Sequence, residues 1–296
     1  MVISEDQLVT WTHQGAITTS QITHESIRIA LSRIGDLSLD RDYEIYLQGS
    51  YKNSTNVRGD SDVDVVIQLN STFRRDISAL SSEEQTAFRS AYFDATYLFA
   101  NFRTDVLTAL RAYYGVSLIA EGNKSITVAA QSGRLNADVV PCLHYRKYRY
   151  FRGLGDEKYV DGIALDTQRE GSQMISFPKL HYENGVKKHA NTNNFYKPTV
   201  RLFKNARSYL IDNNSILGDL APSYFLECLI YNVQDSQFGT DFGNTFCNVV
   251  NWLNEASLDS FLCQDEQTQL FGTEQWSTEK AKQFISALIS LWNKWV

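Results

Sequence analysis

The run Asp62-Val63-Asp64-Val65-Val66-Ile67-Gln68-Leu69 reads as a β-strand too apolar to leave one face in water, so it calls for a sheet covered on both sides. Two carboxylates open this strand. Side chains alternate across a strand with period two, so Asp62 and Asp64 point to the same side. Hard oxygen ligands held close together on a rigid element are what a divalent-metal site for phosphoryl transfer needs. Upstream, Gly49-Ser50 predicts a tight turn that offers a backbone N–H and a hydroxyl to phosphate oxygens, with no Cβ in the way at Gly49. One end of the segment is thus expected to hold a triphosphate and the other its Mg²⁺.

The chain of 296 residues is long enough for one two-lobed domain or two ordinary ones with a substantial core. Its net charge of −6 and lack of a basic stripe argue against a long nucleic-acid ligand, whereas a nucleotide needs only a local cluster of Lys and Arg. Cys142, Cys228, Cys247 and Cys263 show no C-x-x-C spacing and read as reduced thiols; no Cys/His grouping suggests zinc. Glu5 and Asp6 interrupt any signal-peptide pattern, and no apolar run is long enough to span a membrane. A soluble, cytoplasmic protein with no membrane partner is expected.

Apolar spacing predicts a helix over residues 18–34, a strand at 43–47, a polar loop at 53–59 and the metal strand at 62–69. Ser81 with Glu84 forms a capping box that opens a helical region; residues 104–114 continue it or form a second helix, with a stop at Gly115. A hairpin follows, 125–130 and 135–143 around Gln131-Ser132-Gly133, then a strand pair at 162–166 and 173–176. The Asn-, Lys- and Gly-rich stretch 181–194 reads as a surface loop and lobe boundary, with helices from Pro198 onward. The expected architecture is α+β: a catalytic lobe over residues 1–190 with a mixed sheet, and a helical lobe over 191–296 that forms a cleft with it.

A two-metal nucleotidyl-transfer site needs a third carboxylate, to bind the metal that acidifies the attacking hydroxyl and to help remove its proton. Asp138, a charge inside the apolar run Leu135–Pro141, is the natural candidate, against the bland reading of an edge-strand Asp facing water. With it the chain resembles the polymerase-β-type nucleotidyltransferases: Gly49-Ser50, Asp62-x-Asp64, then Asp138. GSYKNSTNVRGDSDVDVVI (49–67), DVVPC (138–142), SFPKLHYENG (176–185), YKPTVRLFKNAR (196–207) and PSYFLE (222–227) fall in order as in the bacterial CD-NTases, relatives of animal cyclic GMP–AMP synthase. The Gly-Ser/Asp-x-Asp signature alone is shared with poly(A) and CCA-adding polymerases, while the ordered set is far more specific.

That resemblance implies a polymerase-β-like lobe and a role for each matching residue. Gly49 and Ser50 would contact the triphosphate. Asp62 and Asp64 would ligate two Mg²⁺ ions, for which Mn²⁺ can substitute, and Asp138 the ion that activates the hydroxyl. Lys204 would reach the phosphates, Ser223 phosphate or sugar, and Tyr224 would stack on a nucleobase. The bland readings are a basic surface face around Arg201, Lys204 and Arg207, a helix N-cap at Ser223, and a solvated Arg58. Tyr145–Tyr150 interleaves basic and aromatic residues and is read as capping the sheet or lining the cleft rim. The implied activity is synthesis of a cyclic di- or trinucleotide from NTPs, ATP among them. In this family such products activate an effector in anti-phage defence, and a regulatory protein is among the partners to be expected. Two rival readings stay open: a template-independent polymerase or adenylyltransferase acting on RNA or protein, and a non-catalytic nucleotide-binding module.

Overall fold

The computed structural model describes residues 2–15, 17–32, 41–57, 62–272 and 276–295. In chain order they form α1 (Glu5–Trp11), α2 (Thr18–Ser32), β1 (Tyr43–Leu47), α3 (Gly49–Asn53), β2 (Val63–Asp76), α4 (Ser82–Ala91), α5 (Phe99–Tyr114), β3 (Ile119–Glu121), β4 (Ile126–Val128) and β5 (Ala137–Gly153). There follow β6 (Asp156–Asp166), β7 (Gln173–Ser176), α6 (Pro178–Asn191), α7 (Tyr196–Asp212), α8 (Ser223–Tyr231), α9 (Phe242–Glu255) and α10 (Thr278–Lys294). Arg58, the end of the 53–59 loop and the end of the 18–34 helix lie outside the described residues.

The chain divides into two compact units that no single cut separates. One comprises residues 17–51 and 62–179; the other comprises residues 1–16, 52–61 and 180–296. A boundary at 190 would assign most of α6 to the first unit, whereas its residues from 180 onward cluster with the helices that follow.

The first unit is built on a mixed sheet in the order β1-β2-β5-β4-β3, with β6 pairing both β5 and β7. β2 and β5 run parallel; the other pairs are antiparallel. Val63, Val65, Val66, Ile67 and Leu69 of β2 are all buried, as the apolar run requires. Ile27, Ala30 and Leu31 of α2 and Phe102, Val106 and Leu110 of α5 join them in one core. The capping box is present: Ser81 Oγ accepts from Glu84 N (3.3 Å) while Ser81 N donates to Glu84 Oε2 (2.9 Å). The helical region it opens is not continuous. α4 ends at Ala91, and α5 starts at Phe99, where Asn101 Oδ1 accepts from Leu98 N, and stops at Gly115 with φ +84°. β2 and β5 run well beyond 69 and 143, so Tyr145–Tyr150 lies within β5, with Tyr145 and Tyr148 buried.

The second unit has its own core, drawn from α7–α10 and from Ile3 and Leu8 of the N-terminal segment. The largest departure from expectation is at 181–194, which is helix α6 through Asn191 rather than a loop. Proline suits a helix start and Lys and Glu are good helix formers. Gly185 is there because the helix packs tightly: a Cβ at that position would collide with Gln264 Nε2. The turn falls later, at Asn193 and Asn194, with φ of +48° and +69°.

Candidate active site

Three strands bring the carboxylates together in the first unit. In the parallel pairing Asp64 lies directly opposite Asp138, and in the antiparallel pairing Thr127 lies opposite Asp138. Directly paired residues share a face, so one rung of the sheet carries Asp64, Asp138 and Thr127 side by side. Asp138 is on a strand flanked on both sides, not an edge strand. Thr127 Oγ1 donates to Asp138 Oδ1 at 2.7 Å. Asp62 precedes β2 by one residue. Burial and then the charge of Asp62 push the Tyr51 phenol above its ordinary value.

Gly49 is shaped by Asp64. Its φ is +68°, a region that side chains resist, and a Cβ there would overlap Asp64 Oδ2. The expected Gly-Ser turn is therefore the first residue pair of the short helix α3, with Ser50 half-buried on it. Asp64 and Asp138 line a cavity of about 230 Å³, with Gln48, Lys124, Ser125 and Ser176 as its polar groups and Ile163, Leu165 and Met174 as apolar wall.

Among the described residues no three His, Cys, Asp or Glu side chains gather closely enough to hold an ion by themselves. The donor set still suits Mg²⁺ or Mn²⁺. Mg²⁺ is commonly bound by one or two carboxylates together with substrate phosphates rather than by an all-protein cage. Asp64 and Asp138, with Asp62 two residues along, are the residues that would hold it.

The second unit contains the remaining expected contacts, and several are occupied. Lys204 is only 1% exposed, not part of a surface basic face. Its Nζ donates to Glu227 Oε1 (2.5 Å) and to Thr55 O (3.1 Å). Thr55 Oγ1 also donates to Glu227 Oε1 (2.7 Å), and His181 Nε2 lies 3.4 Å from Oε2. Burial alone would raise the Glu227 carboxyl; the Lys204 charge and the His181 contact overcome it and hold it at about 2. Ser223 is the first residue of α8, with Pro222 in the N-cap position, and its Oγ accepts from Arg207 Nη1 (3.1 Å). Tyr224 is 39% exposed, and its ring stacks on His181 (5.2 Å, 24°) and on Trp276 (5.6 Å, 26°).

A cation cluster escaped the sequence reading. Lys52 Nζ lies 4.4 Å and Lys197 Nζ 5.6 Å from the centre of the Tyr182 ring. Among the described residues neither ammonium, nor Arg201, forms an ion pair with a carboxylate. Burial, Arg201 and Lys52 lower the Lys197 pKa, with Glu227 opposing. Burial, Lys197 and Arg201 push His189 down to about 4. Such crowding of positive charge suits an anion. Lys52 lies two residues past the Gly-Ser pair, while Tyr182 and Lys197 are remote from it in sequence.

Residues 27–113 match the family described as nucleotidyltransferase domain, and residues 183–293 the cGAS/DncV-like nucleotidyltransferase C-terminal helical domain. The chain is 50% identical over 297 residues to the cyclic UMP-AMP synthase of Rhodothermus marinus, covering 100% of this chain and 99% of that one. It is 39% identical over 302 residues to the cyclic nucleotide synthase CdnE01 of Staphylococcus haemolyticus, covering 100% of both. The structure of Rhodothermus marinus CdnE c-UMP-AMP synthase with Apcpp and Upnpp superposes with a TM-score of 0.89 at 49% identity, covering 99% of this chain and 97% of that one.

Proposed function

Because this chain belongs to the bacterial cGAS/DncV-like nucleotidyltransferases (CD-NTases), we propose that it joins two nucleoside triphosphates into a cyclic dinucleotide with release of two pyrophosphates. The observation that carries this reading is the rung that pairs Asp64 with Asp138, beside a glycine whose missing side chain makes room for the Asp64 carboxylate. The relative named a cyclic UMP-AMP synthase, at 50% identity over the whole chain, supports a cyclic dinucleotide over a long polymer.

In each transfer a ribose hydroxyl oxygen bonds to the α-phosphorus of a donor triphosphate. The bond from that phosphorus to the oxygen bridging it to the β-phosphate breaks, and pyrophosphate leaves. Two divalent ions, when bound, neutralise charge on the attacking and leaving oxygens. Asp62 and Asp64 would hold both ions and orient the donor phosphates; Asp138 would hold the ion beside the attacking hydroxyl and help to take up its proton. Ser50 contacts the triphosphate, with Ser223 on phosphate or sugar and Tyr224 on a base. Lys204 reaches a phosphate only by loosening its hold on Glu227, so Lys52 and Lys197, which pair with no carboxylate among the described residues, supply charge to the polyphosphate without that cost. The product acts as a second messenger in the cytoplasm and activates an effector in anti-phage defence; family membership supports this role. Among the described residues no helix is long and apolar enough to cross a membrane.

The test is incubation with the four NTPs, each labelled at the α-phosphate, with Mg²⁺ or Mn²⁺. Products are treated with phosphatase and weighed. A phosphatase-resistant cyclic dinucleotide that disappears in Asp62→Asn/Asp64→Asn is expected. Long ladders or labelled RNA or protein would replace the cyclase reading with a polymerase or adenylyltransferase. Nucleotide binding without any product, with and without candidate activators, would point to a binding module.

A further inference from the structure

Thr127 is half-buried and faces the side of β4 opposite to its two neighbours. Its neighbours on β4, Ile126 and Val128, are fully buried in the sheet core. Valine has the same shape and strand preference as threonine, so the hydroxyl is the only feature that distinguishes Thr127 there. That hydroxyl makes one bond, to Asp138 Oδ1 at 2.7 Å.

The frame around this bond is pinned from several directions. Ile126 pairs with Val139, Thr127 with Asp138 and Val128 with Ala137, so the register is set on both sides of the contact. Beyond β4 the connection to β5 is tied by Ala130 N donating to Asn136 Oδ1 (2.7 Å) and by the Gln131–Arg134 bridge. On the other flank Val63 N donates to Asn136 O (2.9 Å), which locks β2 to the start of β5. The Thr127 hydroxyl is thus presented to Asp138 by a hairpin whose register cannot slip without moving Asp138 as well.

We infer that Thr127 is a positioning residue for Asp138: its hydroxyl engages one carboxylate oxygen, fixes the side-chain rotamer, and leaves the other oxygen for a divalent cation in the cavity shared with Asp64. The inference rests on the metal-site reading above. A carboxylate ligand oriented by a neighbouring donor binds its ion more tightly than one that must be ordered on binding, and loss of such a partner typically costs 10–100-fold in metal affinity or activity. The opposed placement of Asp64 and Asp138 gives the donor a second task, since it offsets part of the repulsion between two adjacent carboxylates.

The test compares wild type, Thr127→Val, Thr127→Ser and Asp138→Asn. Mn²⁺ binding is read from the free-ion EPR signal, with Mn²⁺ alone and with α,β-methylene ATP. Thr127→Val is expected to weaken Mn²⁺ binding by about 10-fold or more and to lower kcat with KM for NTP within about threefold, and Thr127→Ser to restore both to within about threefold. A thermal melt of each variant separates this outcome from unfolding. Thr127→Val with wild-type Mn²⁺ affinity and kcat would overturn the inference. So would equal impairment in Val and Ser variants, which would assign the site to packing of the γ-methyl group. Mn²⁺ binding that is as strong in Asp138→Asn as in wild type would overturn the metal-site reading itself, and this inference with it.

Discussion

Gly49 shows how one position can serve geometry and chemistry together. Its φ of +68° costs any other residue about 1–3 kcal/mol, and a Cβ would strike the Asp64 carboxylate. Gly49→Ala is therefore expected to lose about that much stability in urea denaturation. It should lose turnover by roughly 100-fold or more, because an ångström of displacement at a reacting group has that effect. Unchanged turnover in a folded variant would show that Asp64 tolerates the shift. The acidic residues were legible in the linear sequence because period-two alternation and a charge in an apolar strand are local signals. Thr127 was not, since a threonine in a strand is unremarkable until its cross-strand partner is known.

Helices α7 and α8 are joined through a buried ion pair, Lys204 with Glu227, to which Thr55 and His181 add hydrogen bonds. Removing one member of such a pair leaves an uncompensated charge, and typically costs about 3–5 kcal/mol. Lys204→Met is expected to destabilise the protein by that order, and Lys204→Met/Glu227→Met by less than the single change, as measured by urea unfolding. If Lys204→Met left stability intact and only raised KM for NTP, the residue would act mainly at the phosphates. The sequence placed Lys204 on a helix, with a phosphate role implied and a basic surface face as the bland alternative; the surface face is ruled out by its burial against Glu227, a carboxylate 23 residues away. The helix α6 was missed for a related reason: its Asn, Lys and Gly composition imitates a loop, and the buried contact at Gly185 that explains the glycine involves Gln264, 79 residues downstream (264 minus 185).

For the protein as a whole, two groups contribute to how stability responds to acid. His189 has its pKa lowered from 6.5 to about 4, so the unfolded chain binds a proton at this site before the folded one does. Its contribution to stability is complete above pH 6.5 and is lost as pH falls toward 4. Glu227, held at about 2 against an ordinary 4.5, adds a second loss between pH 4.5 and 2. Thermal melts between pH 7 and 3 should show a decline that starts below pH 6.5, and His189→Gln should flatten its upper part. A decline that begins only below pH 4.5 in the wild type would exclude His189. The N-terminal segment is also part of this global picture: Glu5 accepts from Phe242 N and Gly243 N, both at 2.8 Å, at the start of α9.

The capping box at Ser81, the helix stop at Gly115 and the Asp-x-Asp strand all follow from interactions between residues a few positions apart, and for that reason short stretches of sequence determined them. The opposed Asp64–Asp138 pair, the donor at Thr127, the Lys204–Glu227 pair, the cations around Tyr182 and the attachment of Glu5 to α9 depend on strand register and helix packing. Those join groups up to 238 residues apart in the chain. Folding settles them through the burial of whole faces, a property that no local window of residues contains.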